Sequence, residues 1–376
     1  MRPTKFSGPL LYSGNPRASA ASVEDLPISF NPDYCTFFDE FQGVPGTVPP
    51  GYNFDALASG TFQYAEGNSL QSGSDQLYGW SSLSSDITDP TTNNSGGTVM
   101  AQENLQFNPQ KQLFIEGRLS LSSPSTCEFF FGFSIDDDWT GGFTSDRLVG
   151  FELVGGTNSL RLVAKGGGAN TSIVENAFTF PNGSTISGQH VSGGVNLAPV
   201  LGIRVSASGS SAFGLYADFF VNRRHVGTIR NTEDNRFLGS SIKGICTNFK
   251  KTSEISGLTI GTDLLSTGPS SYPVIINGTS WDNIPGVGRG QQIYVDQVLR
   301  IGTEDVRVTI LNVDPDTGDL WAQFERAVNS TIQAAHTAGA SITNATQACM
   351  TDYVTSVFAR YGRGRAFQDY LVDPGQ

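Results

Sequence analysis

Between residues 37 and 260 the chain repeats one texture: short runs of alternating apolar and polar side chains, separated by clusters of Gly, Asn, Ser and Asp. Alternation with a period of two places successive side chains on opposite faces of an extended strand, so each run predicts a half-buried β-strand. The first runs are Phe37–Phe41, Gly60–Tyr64 and Gln112–Ser120. The strongest block is Cys127–Ser134, Arg147–Leu153 and Ser159–Lys165, with turn residues between its members, which predicts an antiparallel meander. Leu201–Val205 and Phe213–Asn222 follow, then the turn-like Asn222-Arg223-Arg224-His225 and a last strand at Ile255–Ile260.

The pattern also divides the chain. Residues 1–36 carry Pro3, Pro9, Pro16, Pro27 and Pro32, with apolar spots at Leu10, Leu11, Leu26 and Ile28. Prolines at this spacing preclude a helix and remove ladder donors, so an extended N-terminal arm is expected. Residues 37–265 form the expected large β-sandwich and 266–273 a linker containing Ser266-Thr267-Gly268-Pro269-Ser270-Ser271. A smaller β domain is expected at 274–345, with strands in Gln297–Thr309 and Leu320–Arg326 around the turn Asp314–Asp319. Residues 346–376 are expected as a C-terminal tail, in which Thr351–Arg360 fits either an amphipathic helix or a strand.

Composition sharpens this all-β picture. The chain has 376 residues with 44 Gly and 25 Phe, which suits many turns and aromatic-rich strands. Only 15% of residues are charged, against about 25% in an average soluble protein, so hydroxyl and amide groups must carry much of the solubility. A net charge of −12 argues against a nucleic-acid partner, whose phosphates are met by Lys and Arg. No apolar run reaches the ~18 residues that a membrane span needs, and the first residues lack an apolar signal core. The expectation is a protein made in the cytoplasm, with no membrane partner. Cys35, Cys127, Cys246 and Cys349 have no metal-like or dense disulfide spacing and read as buried thiols. The Asn-x-Ser/Thr triplets at Asn93, Asn170, Asn182, Asn277, Asn329 and Asn344 are what so Asn-, Ser- and Thr-rich a chain produces by chance.

The strand order over residues 37–265 resembles the concanavalin A-like, or laminin G-like, jelly-roll β-sandwich. The carrying features are Asp39-Glu40-Phe41, Phe130–Ser134, Gly150-Phe151-Glu152-Leu153 and Leu258-Thr259-Ile260. A second, sharper resemblance lies in Leu299-Arg300-Ile301-Gly302-Thr303-Glu304, Val306-Arg307-Val308-Thr309, Glu325-Arg326 with Thr331, and Ala335-His336-Thr337-Ala338-Gly339-Ala340. These elements are similar to a small β module that recurs in tail and virion proteins of tailed bacteriophages. That resemblance implies a virion structural protein and makes His336 a structural turn residue.

Few residues invite chemistry. Asp136-Asp137-Asp138, followed by Trp139 and Asp146, could offer oxygens to calcium, but a solvated hairpin loop explains them as well. Concanavalin-like sandwiches also carry glycosidases, whose retaining mechanism needs paired carboxylates, often on one strand. No Glu-x-Asp-x-x-Glu or Glu-x-Asp-x-Glu pattern occurs; Glu116 and Glu152 stand as lone strand carboxylates expected to face outward. His190, His225 and His336 are far apart, without a hydrolase elbow or a zinc-binding helix. Gly286-Val287-Gly288-Arg289-Gly290 lacks the strand-to-helix setting of a phosphate loop. Tyr78, Trp80, Trp139 and Tyr216 are the aromatics a lectin would stack on sugar, though core or sheet-face packing accounts for them too.

The expectation from sequence is therefore a bacteriophage virion protein without enzymatic activity, cofactor or metal. A capsid decoration or cement protein is favoured, bound to the major capsid protein or other virion proteins and assembled as a homo-oligomer, a trimer. The alternative is a tail or fibre protein whose sandwich binds a host-surface glycan. A glycan-degrading enzyme is set aside for want of the carboxylate pair.

Overall fold

A computed structural model describes residues 34–39, 41, 46–65, 80–86, 93–101, 113–121, 127–134, 147–153, 159–166, 171–179, 190–191, 195–196, 199–207, 215–230, 244–252, 257–267, 273–278, 293, 298–313, 316–317, 319–328, 331–345 and 347–359. The arm expected at 1–36 lies outside them except for its last three residues. Strands β1 (Tyr34–Asp39), β2 (Tyr52–Leu57), β3 (Thr61–Ala65), β4 (Trp80–Ser84), β5 (Ser95–Ala101), β6 (Leu113–Leu121), β7 (Cys127–Ser134) and β8 (Arg147–Leu153) open the chain. They are followed by β9 (Ser159–Gly166), β10 (Thr171–Thr179), β11 (His190–Val191), β12 (Val195–Asn196), β13 (Val200–Ala207), β14 (Leu215–Val221), β15 (Arg224–Arg230) and β16 (Gly244–Lys251). The remainder are β17 (Thr259–Ile260), β18 (Val274–Asn277), β19 (Val298–Ile301), β20 (Glu304–Val313), β21 (Leu320–Val328), β22 (Ile342–Asn344) and β23 (Ala348–Ala359).

The protein is all-β, an antiparallel jelly-roll sandwich with an additional small β domain. One sheet runs β15-β14-β13-β6-β23-β4-β3, with β1 paired to β23; the facing sheet runs β10-β9-β8-β7-β16-β5-β2. Alternation decides which side chains meet between them. Leu113, Ile115, Leu119, Ile203, Phe219 and Val354 of the first sheet share one core with Phe129, Phe131, Phe133, Phe151 and Phe249 of the second. Phe151 and Phe219 meet edge to face across it, with ring centroids 5.3 Å apart, the arrangement that aromatic quadrupoles favour. Phe130, one residue out of phase, points to the other side of its sheet and is buried there with Met100, Leu148, Val163 and Cys246. Its ring lies over the backbone of Gly132 and Gly150, where an added Cβ would come within 2.9 Å and 2.5 Å of it.

The chain segments differ from their expected bounds at two places. The strand expected to close the sandwich at 255–260 pairs instead with the small domain, Ile260 opposite Ile276, and Leu258 and Ile260 pack in that domain's core with Val274, Leu299, Val308 and Phe324. The small domain's sheet runs β17-β18-β21-β20-β19-β22. Residues expected as a tail form β23, which returns to the middle of the long sheet and pairs with β6, β4 and β1. Alternation reveals which residues are apolar, but a period of two carries no information about which sheet receives them.

Phe133 is fully buried and Ser266 exposed. Phe133→Ala should cost about 3–5 kcal/mol, mostly as an unfilled cavity, whereas Ser266→Ala should stay within about 0.5 kcal/mol. Equilibrium denaturation of the two variants checks the strand register; equal stability would show it to be wrong.

Candidate functional site

Two groups of polar side chains stand out from the apolar frame. The first lies on the outer face of the long sheet. Along β6, Leu113, Ile115 and Leu119 turn inward, so Phe114, Glu116 and Arg118 turn outward. The same alternation places Arg204 of β13, Tyr216, Asp218 and Phe220 of β14, and His225, Thr228 and Arg230 of β15 on this face. Tyr353 and Thr355 join from β23.

Glu116 is at the centre and fully buried. It accepts a 2.8 Å hydrogen bond from the Tyr353 hydroxyl, and the Arg223 guanidinium stands 3.8 Å from the same oxygen. Burial, with the Glu116 charge beside it, pushes the Tyr353 phenol well above its ordinary range, so it stays a donor. The Arg118 guanidinium lies over the Tyr353 ring, 5.5 Å from its centroid. One strand pair away, Asp218 accepts from Arg204 Nη2 at 2.6 Å and from the Thr228 hydroxyl at 2.6 Å. His225 Nε2 is 2.9 Å from that hydroxyl oxygen. Arg223 reaches the face from a two-residue hairpin turn in which both Asn222 and Arg223 have positive φ, 49° and 64°. Asn222 pins the turn by bonding Val200 with its side-chain oxygen (3.0 Å) and its own N–H (2.7 Å).

Glu116 was expected to face outward; it does so, and it is buried and held there. Glu152 lies on the outer side of the other sheet, bonded by Arg161 Nε at 2.7 Å, so the sandwich core separates the two lone carboxylates. Glu116 and Asp218 do share a face. They sit two strands apart with a two-residue offset, which corresponds to about 12 Å between backbones at the usual strand spacing and rise. Retaining and inverting pairs stand at about 5–5.5 Å and 6.5–9.5 Å. Asp218, Thr228 and Arg204 were missed in the sequence because alternation marks them only as polar.

The second group explains the sharpest sequence signal. Glu304, fully buried, takes Arg326 Nε on one oxygen and Nη2 on the other, both at 2.7 Å. The backbone N–H groups of Ala327 and Ala334 donate to it at 3.0 Å, and His336 Nε2 lies 2.8 Å away. Arg326 also donates to the Leu265 and Ala334 carbonyls, and Thr331 bonds the N–H of Asp305 and the Val328 carbonyl. Glu304, Arg326, Thr331 and His336 of the motif thus tie one loop to two strands. Burial raises the Glu304 carboxyl pKa, but the hydrogen bonds from Arg326, Ala334 and His336 outweigh it and hold the value below the ordinary range.

Among the described residues, no three His, Cys, Asp or Glu side chains converge as a metal site would. Asp136–Asp138, Trp139, Asp146, Tyr78 and Gly286–Gly290 lie outside those residues, as do the side chains of Trp80 and His190. Tyr216 is half-buried, with Arg230 over its ring at 5.3 Å.

No protein-family model and no curated relative matches the chain. Solved structures do. An endo-1,3-beta-glucanase from Streptomyces sioyaensis aligns over 87% of this chain and 97% of its own at 12% identity and TM-score 0.42. The laminarinase catalytic domain of Thermotoga maritima aligns over 88% and 100% at 9% identity and TM-score 0.40. The Emp47p carbohydrate recognition domain aligns over 58% and 86% at 10% identity and TM-score 0.36. The expectation of a chain without enzymatic activity is corrected by these neighbours, since glycoside hydrolases stand among them. At such identities the likeness concerns the jelly-roll fold.

Because Glu304 titrates below its unfolded value, its stabilising contribution is complete above the ordinary carboxylate pKa of about 4.3 and fades as pH falls through the lowered folded value. Glu304→Gln leaves Arg326 buried without its counter-charge and should destabilise the small domain by about 3–5 kcal/mol. Thermal unfolding from neutral to acid pH measures both: the parent should lose stability in acid, and the variant should start lower and lose less.

Proposed function

We propose that the chain is a structural component of a tailed-bacteriophage virion, a decoration or cement protein that sits on the capsid and binds neighbouring subunits as a homo-oligomer. The observation that carries this reading is the convergence of Glu304, Arg326, Thr331 and His336. The residues that make the small domain resemble a phage virion module are the ones its buried network requires, so the resemblance rests on a structural unit. Sparse charge over the whole chain suits packing against neighbours.

A second reading, a tail or fibre protein whose sandwich binds host-surface glycan, is favoured by one feature. The outer face of the long sheet presents carboxylate, guanidinium, hydroxyl and imidazole groups across adjacent strands, a mixture of donors and acceptors that sugar hydroxyls can use.

Electron microscopy of intact particles separates the two. Sandwich-sized density repeating over the head supports the decoration role, density only on the tail supports the second reading, and absence from the particle overturns both.

A further inference from the structure

The arginines are unevenly placed. The whole chain has 35 Asp and Glu against 23 Lys and Arg, yet Arg118, Arg204, Arg223 and Arg230 share the outer face of the long sheet with Glu116 and Asp218. His225, half-exposed, adds an imidazole, whereas Arg224, opposite the inward Val221, lies on the other side of the sheet. Both carboxylates are already engaged, Glu116 by Tyr353 and Asp218 by Arg204 and Thr228. An acidic protein has thus gathered cations around one hairpin. Arg223 is held there in the left-handed region, where two-residue hairpin turns ordinarily use Asn or Gly.

We infer that this hairpin side of the sheet binds an acidic polysaccharide, one bearing carboxylate or sulfate groups. The inference rests on the second reading above, that the sandwich meets glycan, and adds the chemical class. Charge complementarity gives the sign, and three observations select among polyanions. A protein partner needs an apolar anchor, and the aromatics here are covered: Phe114 and Phe220 are 4% and 1% exposed, and Arg230 lies over the Tyr216 ring. A nucleic acid presents an unbroken run of phosphates, and the Arg204–Asp218 pair, closed at 2.6 Å, leaves the centre of the strip without an unpaired cation for them. An acidic sugar chain spaces its anions with hydroxyls, and half-exposed His225 and part-buried Thr228 lie between Arg223 and Arg230 to meet those hydroxyls.

The test is calorimetric titration of the full chain with alginate, dextran sulfate, neutral laminarin and a single-stranded oligonucleotide, at low and high salt. The variant reverses an exposed charge of this face that holds neither Glu116 nor Asp218, Arg230→Glu, its melting compared with the parent's to confirm folding. Saturable binding of alginate or dextran sulfate is expected, weakened by salt and by about threefold or more in the variant; which of the two binds tells carboxylate from sulfate. Laminarin bound as tightly as either polyanion overturns the acidic class but keeps the glycan reading. Binding of no polysaccharide overturns both. An oligonucleotide bound as tightly as the acidic glycans, or a folded variant that binds like the parent, also overturns the inference.

Discussion

The pairing of β23 with β6 is the constraint on which the rest of the structure depends. Residues 348–359 arrive after the small domain, yet they lie in the middle of the long sheet, with β6 on one side and β4 and β1 on the other. Their inward residues Cys349 and Val354 complete the sandwich core, and their outward Tyr353 supplies the donor that Glu116 needs. The chain from about residue 257 to 345 is therefore an insertion between the body of the sandwich and its last central strand. Such closure pairs residues more than 200 positions apart, an entropic cost that the buried aromatic core has to offset.

Two buried carboxylates organise what lies on this frame, and they do so differently. Glu304 is met by two guanidinium nitrogens and two backbone N–H groups, so a charge that would be costly alone becomes the joint of a loop. Glu116 is met by Tyr353 on the sheet face and by Arg223 from a hairpin turn. Its partners come from opposite sides of the face, which places Arg223 over the strands. Structural need and surface chemistry meet in the same side chains there.

Much of this was legible in the sequence where contrast between neighbours is high. Cys127–Ser134, Arg147–Leu153 and Ser159–Lys165 are dense in Phe, Leu and Val between turn residues and became β7, β8 and β9. Two of the strands that escaped notice, Ser95–Ala101 of β5 and Trp80–Ser84 of β4, are rich in small or hydroxylic residues, and their burial comes from neighbouring strands more than from their own hydrophobicity. Gly244–Lys251 is central to the second sheet, but its inward Ile245, Thr247 and Phe249 alternate with Cys246 and Asn248, too little contrast to mark a strand. The Glu304 network was visible as a motif and its geometry was not, because hydrogen bonds between residues 304, 326 and 336 leave no local periodicity. The face around Asp218 was invisible for the same reason. It exists only once four strands are laid side by side.

The most direct test of this account is removal of the last strand. A chain ending at residue 345 keeps the whole small domain and every strand of the sandwich except β23, and leaves β6 and β4 as open edges. Denaturant unfolding followed by near-ultraviolet circular dichroism should show the sandwich without a cooperative transition, with apolar surface open to a hydrophobic dye. A truncated chain that unfolds cooperatively at the parent's midpoint would contradict the central place given to β23.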